Sequence, residues 1–455
     1  MNLYDLASGP ERNASINRFY EDLIPAVYHE SFPADFRLEP AGWFLPAGLI
    51  DRSKFESHEG TIRSLLTLDV EFLDNRIVEL AQRREINLTK NYPCGLNCPG
   101  CFSEDSTYAD SDRFLRWEQV FEVIDQAREI GLKTLKFLGP GELFQNSNLF
   151  DILDAMEERR LQFSIFTKGA ELGDDRLAEL NFGWLGIRTA KELAARISRY
   201  TTLRILLGFN SFDPFVQDKS VGSLHARGHY TLNNGTFSNR GVEFYTEKRN
   251  QALCNLVDAG FNQPGKQKLS LIAAPIGLDQ STEVADMYAW AARRNIPLVI
   301  APTMESGPKS VGLMKHNQRK DPRHEKLRLM YLTVYRRALS EGITSIDRLK
   351  KEGISAYMGT APCNQVANGL FLRINGQVQM CPGAHSNETI YGNIHDASIS
   401  EIWRNSYNYR LGPMHNNWCT AKSNGMPQEL QSEVLAELLR DFPSNQGQQP
   451  ELIFG

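Results

Sequence analysis

From Ile86 onward, short apolar runs alternate with amphipathic segments. The runs "INLTK" (86 to 90), "TLKFLG" (134 to 139), "QFSIFTKG" (162 to 169), "LRILLGFN" (203 to 210), "KLSLIAAPI" (268 to 276) and "PLVIAPT" (297 to 303) have the length and β-branched content of buried strands. Between them, "RWEQVFEVIDQAREIG", "NLFDILDAMEERR", "AKELAARISRY", "EKRNQALCNLVDAG" and "STEVADMYAWAARRN" repeat apolar residues at helical spacing. Six strands, each followed by a helical pattern, predict an α/β fold with a parallel sheet and right-handed crossovers, open or curled toward a barrel. Chemistry on such a sheet belongs at the C-terminal ends of the strands.

The flanks read differently. Residues 1–82 hold helical patterns such as "NRFYEDLI" and "LLTLDVEFLDNRIVELAQ" and form an N-terminal extension of unknown role. The alternation continues over 83–342 and stops near 343. Residues 343–455 carry "FLRINGQVQM", two alternating runs about Asn375-Gly376, a dipeptide suited to a tight hairpin turn. That part reads as a small separate domain. The polar stretch 218–245 exceeds ordinary connection lengths. It is either a surface loop or a substrate loop with His225, Arg227, His229 and Tyr230 as its candidates.

Composition narrows the class. With 455 residues, 41% hydrophobic and 23% charged, the chain is long enough for a main domain and one or two smaller ones. A net charge of −5 gives no electrostatic case for a dedicated nucleic-acid binder. The basic stretch 314–337 has Leu327, Met330, Tyr331 and Val334 at helical spacing and reads as a solvated helix rather than a polyanion site. The first twenty residues lack a basic stretch leading into an apolar run, and no window reaches membrane-span length, so the expected location is cytoplasmic, with no membrane partner.

The cysteines change the picture most. Cys94, Cys98 and Cys101 lie in "NYPCGLNCPGC", directly after the first expected strand. Soft thiolates select iron-sulfur clusters, zinc or copper(I). No histidine or fourth cysteine lies within forty residues of Cys101, which disfavours a structural zinc site. Three thiolates on one short loop suit a cubic cluster with one iron left open. "GPGE" (139 to 142), "TKG" (167 to 169) and "NSFD" (210 to 213) follow the next three strands and point at the same mouth.

On these residues the chain resembles the radical SAM enzymes, whose CxxxCxxC loop follows the first strand of a partial (βα)6 barrel. The resemblance implies that Cys94, Cys98 and Cys101 hold a catalytic [4Fe-4S] cluster whose open iron chelates S-adenosylmethionine. Cleavage of the sulfonium by one electron then releases a 5′-deoxyadenosyl radical that takes a hydrogen atom from substrate. "FLGPGE" is similar to the family's GGE motif, so Gly139, Gly141 and Glu142 are expected at the methionine moiety, with Lys168 as a carboxylate partner. The family's aromatic before the third cysteine is Gly100 here, and Phe102 follows instead. Its fourth-strand serine aligns with Gly208, leaving Asn210 or Ser211 for the ribose. An electron donor such as flavodoxin or ferredoxin is implied.

Cys363, twelve residues, Gly376, four residues and Cys381 resemble the opening of the SPASM and Twitch auxiliary-cluster domains, and "YGNIHDASISEIW" is similar to the segment that follows. The resemblance implies a second [4Fe-4S] cluster on Cys363, Cys381 and Cys419, with His385, His415, the substrate or nothing at its fourth iron. A zinc knuckle or unligated thiols are the alternative. Cys254, in an amphipathic segment, is expected to be a core residue. Relatives with this domain modify peptides or small natural products such as aminoglycoside intermediates, and the expected reaction here is oxidation or bond formation on a small-molecule natural-product intermediate. Peptide modification, epimerisation, radical elimination and a non-enzymatic iron-sulfur or zinc protein are the alternatives.

Overall fold

A computed structural model describes residues 2–6, 9–29, 31–33, 36, 64–88, 94, 96, 98, 110–223, 229–231, 236–238, 242–273, 281–300, 322–352, 368–382, 390–411 and 428–443. An N-terminal helix α1 (Pro10–Leu23) precedes β1 (Thr67–Glu71) and α2 (Asn75–Gln82). Next come α3 (Trp117–Glu129), β2 (Thr134–Gly139), α4 (Leu149–Glu158), β3 (Gln162–Thr167), α5 (Asp175–Phe182), α6 (Ala190–Ile197) and β4 (Leu203–Gly208). Then follow α7 (Pro214–Val221), a two-stranded hairpin of β5 (His229–Thr231) and β6 (Thr236–Ser238), α8 (Tyr245–Asp258), β7 (Leu269–Ala273), α9 (Ser281–Arg293) and β8 (Leu298–Ile300). The C-terminal part holds α10 (Pro322–Ser340), β9 (Gly369–Leu372), β10 (Gln377–Gln379), β11 (Ile390–Asn393), α11 (Ile399–Asn405) and α12 (Gln428–Asp441).

Nine strands form one sheet in the order β11-β10-β9-β1-β2-β3-β4-β7-β8. The run from β1 to β8 is parallel throughout, and β9 joins β1 in parallel. The two ends of the sheet do not meet, so the six-stranded barrel is open. One face carries Leu68, Val70, Leu135, Phe137, Phe163, Ile165, Ile205 and Leu271, all buried in the main apolar core with Ile124, Ile152 and Leu193 of the helices. These alternate positions on parallel strands can only pack outward against crossover helices, which is the arrangement the sequence predicts.

The first strand departs from that expectation. Residues 86–88 of the expected strand 86–90 form a turn after α2, and the place beside β2 is taken by Thr67–Glu71, inside a stretch expected to be helical. The reason lies in the two acids. Asp69 and Glu71 break the look of a buried strand, but each is met by a cation from far along the chain. Lys136 Nζ lies 2.7 Å from Asp69 and Arg373 lies 3.7 Å from Glu71. With the charges paired on one face, Leu68 and Val70 fill the core on the other. The N-terminal part also builds the fold elsewhere: Trp290 Nε1 donates to Tyr20 O at 2.9 Å, and Arg294 Nε donates to Ile24 O at 2.7 Å.

The hairpin about Asn375-Gly376 forms as expected, with β9 and β10 antiparallel. Gly376 sits at φ +81°, and a Cβ there would stand 2.7 Å from Asn393 Oδ1. Through β9 the hairpin continues the main sheet. Residues 314–321 of the basic stretch lie outside the described residues, and its described part, 322–337, lies on α10, whose Leu327, Met330, Tyr331 and Val334 are buried. Arg336 there pairs with Asp441 of α12 at 2.7 Å, and Arg337 with Asp286 of α9 at 2.8 Å. Acidic neighbours thus answer its charge within the fold. No helix among the described residues is long and apolar enough to cross a membrane.

Candidate active site

Strand β2 ends at Gly139 and runs into Pro140, Gly141 and Glu142, while β3 ends at Thr167 and runs into Lys168 and Gly169. The two strand ends are tied through one carboxylate. Thr167 Oγ1 donates to Glu142 Oε2 at 2.5 Å and the Lys168 amide donates to Oε1 at 2.9 Å. Gly139 and Gly141 have φ of +128° and +72°, a backbone path that favours glycine. Gly169, at φ +72°, lets this turn close on β4, since a Cβ would reach within 2.6 Å of Leu207 Cδ1.

Glu142 sits among unlike and like charges. Burial, and after it the neighbouring Glu171 carboxyl, push its pKa up to about 7, against the opposing hydrogen bonds from Thr167 and Lys168. Glu171 is fully buried and accepts from Gln145 Nε2 at 2.7 Å. The sequence reading named neither Glu171 nor Gln145. Both follow within a few residues of the motif ends, but nothing in their spacing shows that they meet.

Lys168 explains the glycine at 208. A Cβ on Gly208 would stand 2.8 Å from Lys168 Cδ and 2.9 Å from Nζ, so the lysine side chain lies across the end of β4 where another residue's side chain would go. Asn210 and Ser211, just beyond, build a turn. Ser211 is fully buried and its hydroxyl donates to Glu283 Oε1 at 2.5 Å, while Asn210 N donates to Gln217 Oε1 at 2.7 Å. Arg249 seals that turn from below, its guanidinium 3.6 Å from the centre of the Phe209 ring and 3.1 Å from Gln217 Oε1.

Tyr245, also missed in the sequence, joins the cysteine loop to this turn. It is fully buried, and its hydroxyl donates to Lys168 O at 2.9 Å. It belongs to a small apolar cluster of Leu96, Ala170, Leu177, Val221 and Val242, against which Cys94 and Cys98 pack. Its pKa is raised chiefly by burial, with Glu142 and Cys98 among the negative groups that add to the effect. The sequence offered no signal for it, because an aromatic at the start of an amphipathic helix is ordinary core.

The donor chemistry fits an iron-sulfur cluster. Cys94 and Cys98 are half-buried, neither is in a disulfide, and both pack on the apolar cluster around Tyr245. Cys101 and Phe102 lie outside the described residues, as do Cys363, Cys419, His385, His415, His225 and Arg227. For His229 and Tyr230 the structure describes the backbone, in strand β5. Cys381 is buried directly after β10, beside Met380 and Tyr391. Cys254 is partly buried against the main core: its thiol faces Leu23 O at 3.9 Å, and burial pushes its pKa up to about 11.

Residues 363–422 match the SPASM family, described as an iron-sulfur cluster-binding domain. Among solved structures the chain is similar to native anSMEcpe with bound AdoMet, at 12% identity and a TM-score of 0.48, over 82% of this chain and 96% of that one. It is also similar to Streptococcus suis SuiB bound to S-adenosylmethionine, at 13% identity and a TM-score of 0.45, over 88% of this chain and 77% of that one. The SPASM match takes in Cys363, Cys381 and Cys419. A thiolate loop at the mouth of an open βα sheet thus precedes a region, 363–422, that matches an iron-sulfur cluster-binding SPASM domain.

Proposed function

We propose that this chain is a radical SAM enzyme, with [4Fe-4S] clusters and S-adenosylmethionine as its cofactors, that oxidises or cross-links a small-molecule natural-product intermediate. The observation that carries the site assignment is the convergence at Tyr245, where the cysteine loop, the Lys168 backbone and the field of Glu142 come together. Cys94, Cys98 and Cys101 hold the catalytic cluster. Gly139 and Gly141 bring backbone to the methionine moiety, Glu142 accepts from its ammonium and Lys168 faces its carboxylate. Phe102 and Asn210 remain for the adenosine. Bound together, cluster and S-adenosylmethionine supply a 5′-deoxyadenosyl radical that removes one substrate hydrogen atom.

The protein's own part is to position and to exclude water. Thr167 and the Lys168 amide hold the Glu142 carboxylate in one orientation, and the buried Tyr245 cluster closes the loop from below. Cys363, Cys381 and Cys419 would hold the second cluster, which would supply an acceptor for an electron. The balance is a two-electron oxidation of substrate with one proton released, and a donor such as flavodoxin or ferredoxin supplies the electron that starts turnover.

Turnover in deuterated water tests the reaction type. The expected product has lost two hydrogens and carries no deuterium at carbon. Deuterium at a substrate carbon, with no mass loss, would instead establish a redox-neutral epimerisation.

The acidity of Glu142 makes a second expectation. A carboxyl with a pKa near 7 is ionised above that pH and neutral below it. Its hold on a cationic ammonium is therefore present at pH 7.5 and fades by about tenfold per pH unit below 7. Equilibrium dialysis of S-adenosylmethionine should show the weakening by pH 6, and Glu142→Gln should bind weakly with a flat profile over the same range. A wild-type affinity unchanged down to pH 6 would remove Glu142 from this role.

A further inference from the structure

The short turn Leu3–Asp5 and helix α1 add no strand to the sheet, yet both bond to the elements that follow β4. Tyr4 lies where α7 and α8 come together. Its hydroxyl donates to Asp218 Oδ2 at 2.7 Å, and its ring meets Phe215 and Phe244 edge-on, with centroids 5.6 and 5.3 Å away. Asp218 is buried, and its Oδ1 accepts from the Thr246 amide at 3.0 Å and from the Thr246 hydroxyl at 2.7 Å. The carboxylate therefore satisfies a backbone donor in the first turn of α8, and Tyr4 fixes which way that carboxylate faces. Tyr20 of α1 does the same for the turn after β4. The buried Arg249 donates to the Tyr20 hydroxyl at 2.7 Å and to Gln217 Oε1 at 3.1 Å, and that oxygen accepts from the Asn210 and Ser211 amides at 2.7 and 3.1 Å.

Phe244 is the strained point of this arrangement. Its φ is +50°, a left-handed conformation that a phenylalanine seldom adopts, although its side chain is 57% exposed. Such a residue persists only where its surroundings hold it there. Here the holding groups are the Tyr4 ring and the Asp218–Thr246 bonds on one side and the Tyr245–Lys168 bond on the other. The bend has a consequence for the site: Phe244 faces solvent, while Tyr245, the next residue, is fully buried in the cluster on which Cys94 and Cys98 pack.

We infer that the Leu3–Asp5 turn and α1 brace the S-adenosylmethionine site, with Tyr4 and Tyr20 as positioning residues. Tyr4 acts through Asp218 and Phe244 on Tyr245. Tyr20 acts through Arg249 and Gln217 on Asn210. This rests on the radical SAM reading above and gives a role to a part of the chain that holds none of the cluster thiolates. A three-residue turn with only Leu3 buried stays ordered because it is tied down, and its ties run to the two helices flanking the site.

The test compares Tyr4→Phe, Tyr20→Phe and Tyr200→Phe in the reconstituted enzyme. Each change removes one hydroxyl and leaves the ring. Tyr200 is the matched control, since its hydroxyl donates to Asp154 at 2.6 Å, another tyrosine–aspartate bond, before the opposite end of β4. Equilibrium dialysis should show S-adenosylmethionine bound about fivefold more weakly by Tyr4→Phe and by Tyr20→Phe, and unchanged by Tyr200→Phe. Tyr4→Phe/Tyr245→Phe should bind no more weakly than Tyr245→Phe alone, because a residue that acts through Tyr245 then has nothing left to position. Without S-adenosylmethionine, hydrogen exchange over Thr246–Lys248 should quicken in Tyr4→Phe and stay as in the wild type in Tyr200→Phe. Tyr4, half-buried, decides the matter if Tyr20→Phe does not fold. Wild-type affinity in Tyr4→Phe, an equal loss in Tyr200→Phe, or fully additive losses in the double variant would overturn the inference. A wild type that binds no S-adenosylmethionine would overturn the radical SAM reading instead, and unchanged exchange at Thr246–Lys248 would then overturn the brace by itself.

Discussion

Replacing Cys98 with alanine should abolish 5′-deoxyadenosine formation and lower the iron content by that of one cluster. Two thiolates cannot hold a cube that needs three protein corners, and no other described cysteine can substitute: Cys254 is turned into the core and Cys381 lies after β10. The fold should persist, because Cys98 is half-buried and only borders the apolar cluster around Tyr245. Cys254→Ala is the matched control, a thiol removed from the packing between α8 and the end of α1 rather than from the loop. Iron and sulfide counts after anaerobic reconstitution, with far-ultraviolet circular dichroism, separate lost cluster from lost fold. A Cys98→Ala protein that keeps its iron and still cleaves S-adenosylmethionine would end the cluster assignment.

Gly173→Ala should be more damaging than alanine at any other glycine whose surroundings are described. Gly173 closes the helical turn Ala170–Gly173, and a Cβ there would lie 1.8 Å from the carbonyl oxygen of Lys248 and 2.8 Å from the amide nitrogen of Ala252. Both obstacles are backbone of α8, so no rotamer change relieves them. Overpacking of this kind costs about 3 kcal/mol, seen as a lowered denaturant midpoint. Gly186→Ala, at φ +81° with nothing within 4 Å, should cost only the backbone strain of roughly 1 kcal/mol. The displacement should also reach the site, because α8 begins at Tyr245, which bonds Lys168. A Gly173→Ala midpoint equal to that of Gly186→Ala would show that the turn and helix do not approach as described.

The parts of the fold legible in advance share one property: their signal is local. The strands Thr134–Gly139, Gln162–Thr167 and Leu203–Gly208 are short apolar runs with glycine or threonine at the end, and the helices between them show their apolar stripe within a dozen residues. The Asn375-Gly376 turn declares itself by its dipeptide. The proposed site rests on the same kind of local signal, the spacing of Cys94, Cys98 and Cys101 and the glycines before Glu142.

Tertiary structure alone decided which strand lies beside β2. Thr67–Glu71 holds two acids, and an isolated reading assigns such charges to the surface of a helix. Burying them is tolerable only because Lys136 and Arg373 arrive from the neighbouring strand and from the far end of the chain. The same holds for Tyr245, an unremarked aromatic until folding sets it beneath the cysteine loop, and for Gly208, whose missing side chain makes room for Lys168. Periodicity within a segment reports which face will avoid water. It carries no record of the distant charge that makes a buried acid affordable, and that pairing is settled when the chain closes on itself.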